Sequence, residues 1–91
     1  MKILYSETYE REGNDAWLID KIQIIYEDEE LVFRHKINHK GWNGPVKEAR
    51  EIVLEEYSSM EDKQKRIQEY MENECLLPEM KVPDLKEILN K

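Results

Sequence analysis

Cysteine is almost absent: Cys75 is the only one, so no internal disulfide can form, and a reducing, cytoplasmic setting is the expectation. Long apolar runs are missing too. None exceeds a few residues, which argues against a membrane span or a signal-peptide core. Positive charge is also in short supply, with 14 Lys and Arg against 21 Asp and Glu and a net charge of −7 at pH 7. Nonspecific binding to nucleic acid or anionic lipid is thereby disfavoured, because counterion release would have the wrong sign.

Metal-ligating and nucleophilic side chains are equally sparse. A zinc site needs three or four ligands, and the chain offers His35, His39 and the distant Cys75. No metal and no cofactor is expected. The same three residues would be needed for Cys–His nucleophilic catalysis, yet nothing in the sequence brings them together. Cys75 instead falls where an apolar helix stripe would use a small hydrophobe. Ser58 and Ser59 read as helix caps rather than nucleophiles, so no enzyme is expected. The chain shows no internal repeat, no low-complexity segment and no long linker.

What is present suits one small α+β domain spanning residues 1–91. A chain of 91 residues buries roughly 60–65% of the surface its unfolded form would expose, enough for a single core. Leu, Ile, Val and Phe number 22, above the level of about one fifth below which highly charged chains tend to stay disordered. The charged fraction of 38% puts a charge at nearly every surface position.

The first forty residues carry the two-residue period of strands. "KILYSETYERE" ends at Gly13-Asn14-Asp15, a cluster suited to a tight hairpin. "AWLIDKIQIIY" follows, with Ile22, Ile24 and Tyr26 in alternation, and then "LVFRHKI", with Leu31, Phe33, His35 and Ile37 in alternation. Trp17 and Ile19 are out of phase with Ile22, which predicts a bulge at Asp20-Lys21. In a three-stranded antiparallel meander, His35 would lie half-buried on the sheet and His39 exposed beyond it.

At Gly44-Pro45 the period changes. Proline suits the first position of a helix, and Val46, Ala49, Val53 and Tyr57 fall on one helical face, predicting a helix over 45–57. Ser58 with Glu61 forms a capping box for a second helix over 59–76, whose apolar stripe is thin: Met60, Ile67, Tyr70, Met71 and Cys75. Pro83-Asp84 opens a short last helix with Val82, Leu85, Ile88 and Leu89 on its buried side. The expected order is β-β-β-α-α-α, helices packed on one face of the sheet.

Charge is unevenly placed: −6 over residues 1–30, +4 over 31–50 and −5 over 51–91. Glu27-Asp28-Glu29-Glu30 makes an uncompensated hairpin tip. On the predicted first helix Glu48, Glu51 and Glu55 would form a carboxylate ridge, spaced closely enough to imitate a row of phosphates. Arg50 would sit at the edge of that helix's apolar face, with Glu74 as a possible partner. These seven acids, with Trp42 as an aromatic anchor, form the expected surface for a basic protein partner. The alternative is an anion site for nucleic acid or a nucleotide made of Arg34, Lys36, His39, Lys40 and Lys47, beside "GWNG" and a helix N-terminus at Gly44-Pro45. A third possibility is a homodimer or structural subunit, in which Met60, Ile67 and Met71 would be partly exposed. In size, acidity and mixed topology the chain resembles small phage- or mobile-element-encoded inhibitors of bacterial defence, including anti-CRISPR and anti-restriction proteins. That resemblance implies a non-enzymatic blocker of a nucleic-acid-binding effector, with no family motif and no residue roles to carry over.

Overall fold

The computed structural model describes residues 1–12, 17–41, 48–74 and 81–90. Four strands come first: β1 Lys2–Glu12, β2 Trp17–Glu27, β3 Glu30–His39 and β4 Glu48–Val53. They form one antiparallel sheet in the order β1-β2-β3-β4. A 3₁₀ turn, Leu54–Glu56, leads from β4 toward helix α1, Met60–Asn73, and a short helix α2, Leu85–Leu89, closes the described chain.

The predicted helix over 45–57 is therefore corrected to a fourth strand and a 3₁₀ turn, and the α+β order becomes four strands followed by one main helix and a short one. Glu, Ala, Arg and Leu favour a helix locally. What overrides them is pairing along β3, where Val53 meets Val32, Ile52 meets Phe33 and Glu51 meets Arg34. Cross-strand β-branched and opposite-charge pairs of this kind stabilise a sheet. Residues 45–47 lie outside the described residues.

The β2–β3 hairpin turns at Asp28 and Glu29, with φ of 52° and 65°. Two consecutive positive φ values suit the twist of a two-residue hairpin, but the usual residues there are Asn and Gly. The chain accepts a steric cost at Glu29 to keep carboxylates at the tip.

One face of the sheet carries the core. Ile22 and Ile24 of β2 and Leu31 and Phe33 of β3 pack with Leu54, Ile67, Tyr70, Met71 and Leu85. In β1 the register shifts between Ile3 and Tyr5, a bulge that lets the successive residues Leu4 and Tyr5 both reach this core. The bulge expected at Asp20-Lys21 is not there, since β2 pairs with β3 without a break from Leu18 to Glu27. Trp17 and Ile19 simply face the other side, and Asp20 takes the core-facing position ahead of Ile22.

Helix α1 starts at Ser59, whose hydroxyl accepts from the Asp62 N–H at 3.1 Å; the cap is thus one residue beyond the expected Ser58. Ile67, Tyr70 and Met71 are buried. Ile67 and Met71 therefore do not form the exposed stripe on which the homodimer reading rested; Met60 is half-buried against the core. Gln64 ties the two helices together, donating to the Pro83 carbonyl at 2.8 Å and accepting from the Leu85 N–H at 2.9 Å. Asp84 caps α2 through the Lys86 and Glu87 N–H groups, and Leu85 is fully buried, as the sequence pattern predicts.

Tyr5 and Tyr9 border the core on the edge strand, and Tyr9 accepts a hydrogen bond from the Lys81 N–H at 3.2 Å. Burial, then the neighbouring Tyr9, push the Tyr5 phenol up to about 12. An unfolded tyrosine ionises near pH 10, so this residue's contribution to stability is complete below about pH 10 and is lost as pH rises toward 12. In a phenolate absorbance titration, Tyr5→Phe is expected to remove a step near pH 12. Loss of a step near pH 10 instead would contradict the burial.

Candidate functional site

Two polar constructions stand out, one buried and one at the surface. The buried one crosses the sheet. Asp20 on β2 and His35 on β3 are each 1% exposed. Since a carboxylate only accepts, the His35 Nε2–H donates to Asp20 Oδ1 at 2.7 Å, and in the neutral ring Nδ1 accepts from the Tyr70 hydroxyl at 2.6 Å. The second oxygen, Asp20 Oδ2, accepts from Arg11 Nε at 2.7 Å. Beyond Tyr70 stands Arg50, bound to Glu48 at 2.6 Å and Glu74 at 3.1 Å. The Arg50 pKa is raised above the ordinary arginine value, first by the hydrogen bond to Glu48 and then by that to Tyr70.

Order within the group resembles a carboxylate–histidine–hydroxyl triad, but Tyr70 is 5% exposed and its hydroxyl is engaged by His35. Asp20, His35 and Tyr70 are all buried, and Arg11 is the member of the group that reaches the surface. The group's physical role is to place charge and hydrogen-bonding capacity under the helix while every buried side-chain polar atom among the described residues keeps a partner. Sequence reasoning expects His35 half-buried and does not single out Asp20, Arg11 or Tyr70 for this group. The one available signal was the break in apolar alternation at Asp20.

At the surface, antiparallel pairing gathers acids at one end of the sheet. Glu27 and Glu30 close the hairpin, Asp28 and Glu29 form its tip, and Glu51 lies across β3 on the same face as Glu27. Because β4 runs toward this end, Glu55 and Glu56 of the 3₁₀ turn follow it there. Arg34 is held between two of the carboxylates, its Nη2 2.6 Å from Glu27 Oε2 and its Nε 2.9 Å from Glu51 Oε1. Around this clamp lies a concavity of about 300 Å³ lined by Glu27, Asp28, Glu30, Val32, Arg34, Glu51 and Val53. Among the described residues, Asp28, Glu29 and Glu30 make no ion pair.

The expected acidic surface is thus only partly assembled. Glu27, Asp28, Glu29, Glu30 and Glu51 come together with Glu55 nearby. Glu48 does not join them: it pairs with Ile37, toward the far end of β4, and points with Arg50 to the helix-bearing face. The ridge of Glu48, Glu51 and Glu55 required a helix, and a strand puts Glu48 and Glu51 on opposite faces. The expected link between Arg50 and Glu74 does form, although Arg50 projects from a strand.

The alternative basic set is dispersed. Arg34 is neutralised by the clamp, Lys40 pairs with Glu10 at 3.3 Å, and His39 faces the helix side at the end of β3, half-buried. Lys36 is on the opposite face. Trp42 and Lys47 lie outside the described residues, as do Cys75, the part of "GWNG" after Gly41 and the helix N-terminus expected at Gly44-Pro45. No helix among the described residues is long and apolar enough to cross a membrane. Comparison of the chain with protein-family models, curated proteins and solved structures finds no match.

Proposed function

We propose that this protein is a non-enzymatic binding module whose acidic sheet end receives a basic segment of another protein. The observation that carries the reading is the hairpin tip, where Asp28, Glu29 and Glu30 lack ion partners among the described residues and adjoin the Arg34 clamp. A two-residue hairpin fixes the backbone that carries these carboxylates, so a cationic partner orders their side chains but not the turn itself. A segment rich in Arg would find bidentate acceptors there, and Val32 and Val53 would contact its aliphatic stems.

Surfaces of that character occur on proteins that hold nucleic-acid phosphates. The reading therefore extends to occupation of such a protein's phosphate groove, the mode of action expected of an anti-restriction or anti-CRISPR inhibitor in the cytoplasm. Charge complementarity of this kind mainly accelerates encounter and selects the partner.

The test is a titration with a short Lys/Arg peptide followed by backbone amide NMR. Saturable, salt-sensitive shifts are expected at residues 27–30, 51 and 55. Shifts spread equally over the acidic face of α1, at Glu61, Glu69 and Glu72, would show only a general attraction to negative charge and would sink the proposal.

A further inference from the structure

The helices cover one face of the sheet, and the other presents a second charged feature of opposite sign. Thr8, Lys21, Lys36 and Ala49 are successive register partners across all four strands. They form one row in the middle of that face. Lys21 and Lys36 are thus directly opposed like charges, an arrangement that destabilises a sheet.

Neither lysine makes an ion pair among the described residues, whereas Arg11, Arg34, Lys40 and Arg50 all do. The row holds no acid to relieve them. On the same face, four residues back along β2, Trp17 is 53% exposed, with the Lys40 ammonium 6.0 Å from its ring centroid. The distance from Trp17 to Lys21 along the strand is about 13 Å. Between them lies Ile19, with Asn38 beside it on β3 and Glu10 on β1, and Glu12 is the register partner of Trp17; Glu10 is paired with Lys40.

Toward the hairpin this face is covered, with Gln23, Ile25 and Val32 buried; we infer that its Trp17 end is a site for a short single-stranded nucleic acid, with a phosphate between Lys21 and Lys36 and a base stacked on Trp17. An oxyanion relieves the repulsion of the lysine pair, and a planar base has a use for the exposed indole that an acidic peptide lacks. Antiparallel sheets that bind single strands combine these two elements, an aromatic platform and cations along the backbone path. The carboxylates of the hairpin tip lie at the end of the strands away from Trp17. With a net charge of −7, binding is confined to a short strand and is weak at physiological salt. The Arg34–Glu51 pair of the acidic end occupies the next row on this face, beside Lys36, and the site uses neither residue.

The experiment is fluorescence anisotropy of a labelled oligothymidylate about a dozen nucleotides long, titrated with the full chain at several salt concentrations. Two contacting cations without ion partners among the described residues, Lys21 and Lys36, predict a slope of log K against log salt of about −1.4, from about 0.7 per phosphate contact. Lys21→Gln with Lys36→Gln is expected to weaken binding at least about tenfold at low salt and to flatten the slope by about 1.4. Trp17→Leu is expected to weaken binding with the slope unchanged. The double glutamine variant removes a repulsion and so keeps the fold, which circular dichroism checks; single Lys21→Gln, at an exposed position, serves as the second variant. The inference is overturned by failure to saturate at low salt, by equal binding of the glutamine variants, or by equal competition from polyglutamate.

Discussion

Replacing Asp20 with alanine is expected to cost about 3–5 kcal/mol of folding stability, the usual consequence of breaking a buried charged pair from one side. The substitution removes the acceptor that two groups share: the buried His35 Nε2–H and the Arg11 guanidinium, which is 25% exposed and can turn to water. His35, at 1% exposure, has no water to turn to. A small domain is stable by only about 5–15 kcal/mol, so the variant would be close to unfolding. Asn at the same position is expected to do less damage, because its carbonyl oxygen still accepts from His35 while its amide opposes Arg11. Tyr70→Phe isolates the other end, keeping the edge contact with Phe33 at 5.2 Å between ring centroids and deleting only the hydroxyl. Its expected cost is about 1–2 kcal/mol for the lost buried hydrogen bond. Urea denaturation of the three variants and of the Asp20/Tyr70 double mutant measures the coupling through His35. A loss below about 1 kcal/mol for Asp20→Ala would mean that the relay is not a structural unit.

The second large effect concerns binding. Asp28→Lys, Glu29→Lys and Glu30→Lys together are expected to abolish capture of a basic partner, because they reverse the sign of the surface that meets it. The fold should survive: all three residues are exposed, and none takes part in an ion pair among the described residues. Lysine at 28 and 29 must still adopt positive φ; at 29 it replaces glutamate at little change, and at 28 it gives up aspartate's tolerance of the left-handed region, a small added cost in the turn. Arg34 keeps Glu27 and Glu51, which leaves the clamp intact beneath the altered tip.

Much of the frame was legible because it follows local rules. Composition marked β1 and alternation β2 and β3, while α1 and α2 were readable from the Ser58-Ser59 break, one residue off at the cap, the Ile67–Tyr70–Met71 spacing and Pro83-Asp84. The hairpin tip at Glu27–Glu30 was visible as a charge cluster between two alternating runs. Residues 48–56 were misread because their preference is helical and their fate is decided by the unpaired edge of β3, a tertiary demand that no local window contains. With the helix went the ridge of Glu48, Glu51 and Glu55, since the side-chain period changed from 3.6 to 2. Asp20 was hidden for a related reason. An aspartate in the core is stable only because residues 9 and 15 positions away, and through His35 a tyrosine 50 positions away, converge on it. The opposition of Lys21 and Lys36 likewise exists only once the register is known.

The claim that matters most is that the hairpin end, rather than net negative charge, is the binding surface. The direct measurement is quantitative affinity capture from nuclease-treated bacterial lysate using three tagged proteins. They are the wild type, the Asp28→Lys/Glu29→Lys/Glu30→Lys variant, and a control with Glu61→Lys, Glu69→Lys and Glu72→Lys on the exposed face of α1. Both variants change the net charge equally. The account predicts a basic nucleic-acid-handling protein retained by the wild type and the α1 control and lost from the hairpin variant. Equal retention by all three, or equal loss from both variants, would contradict it.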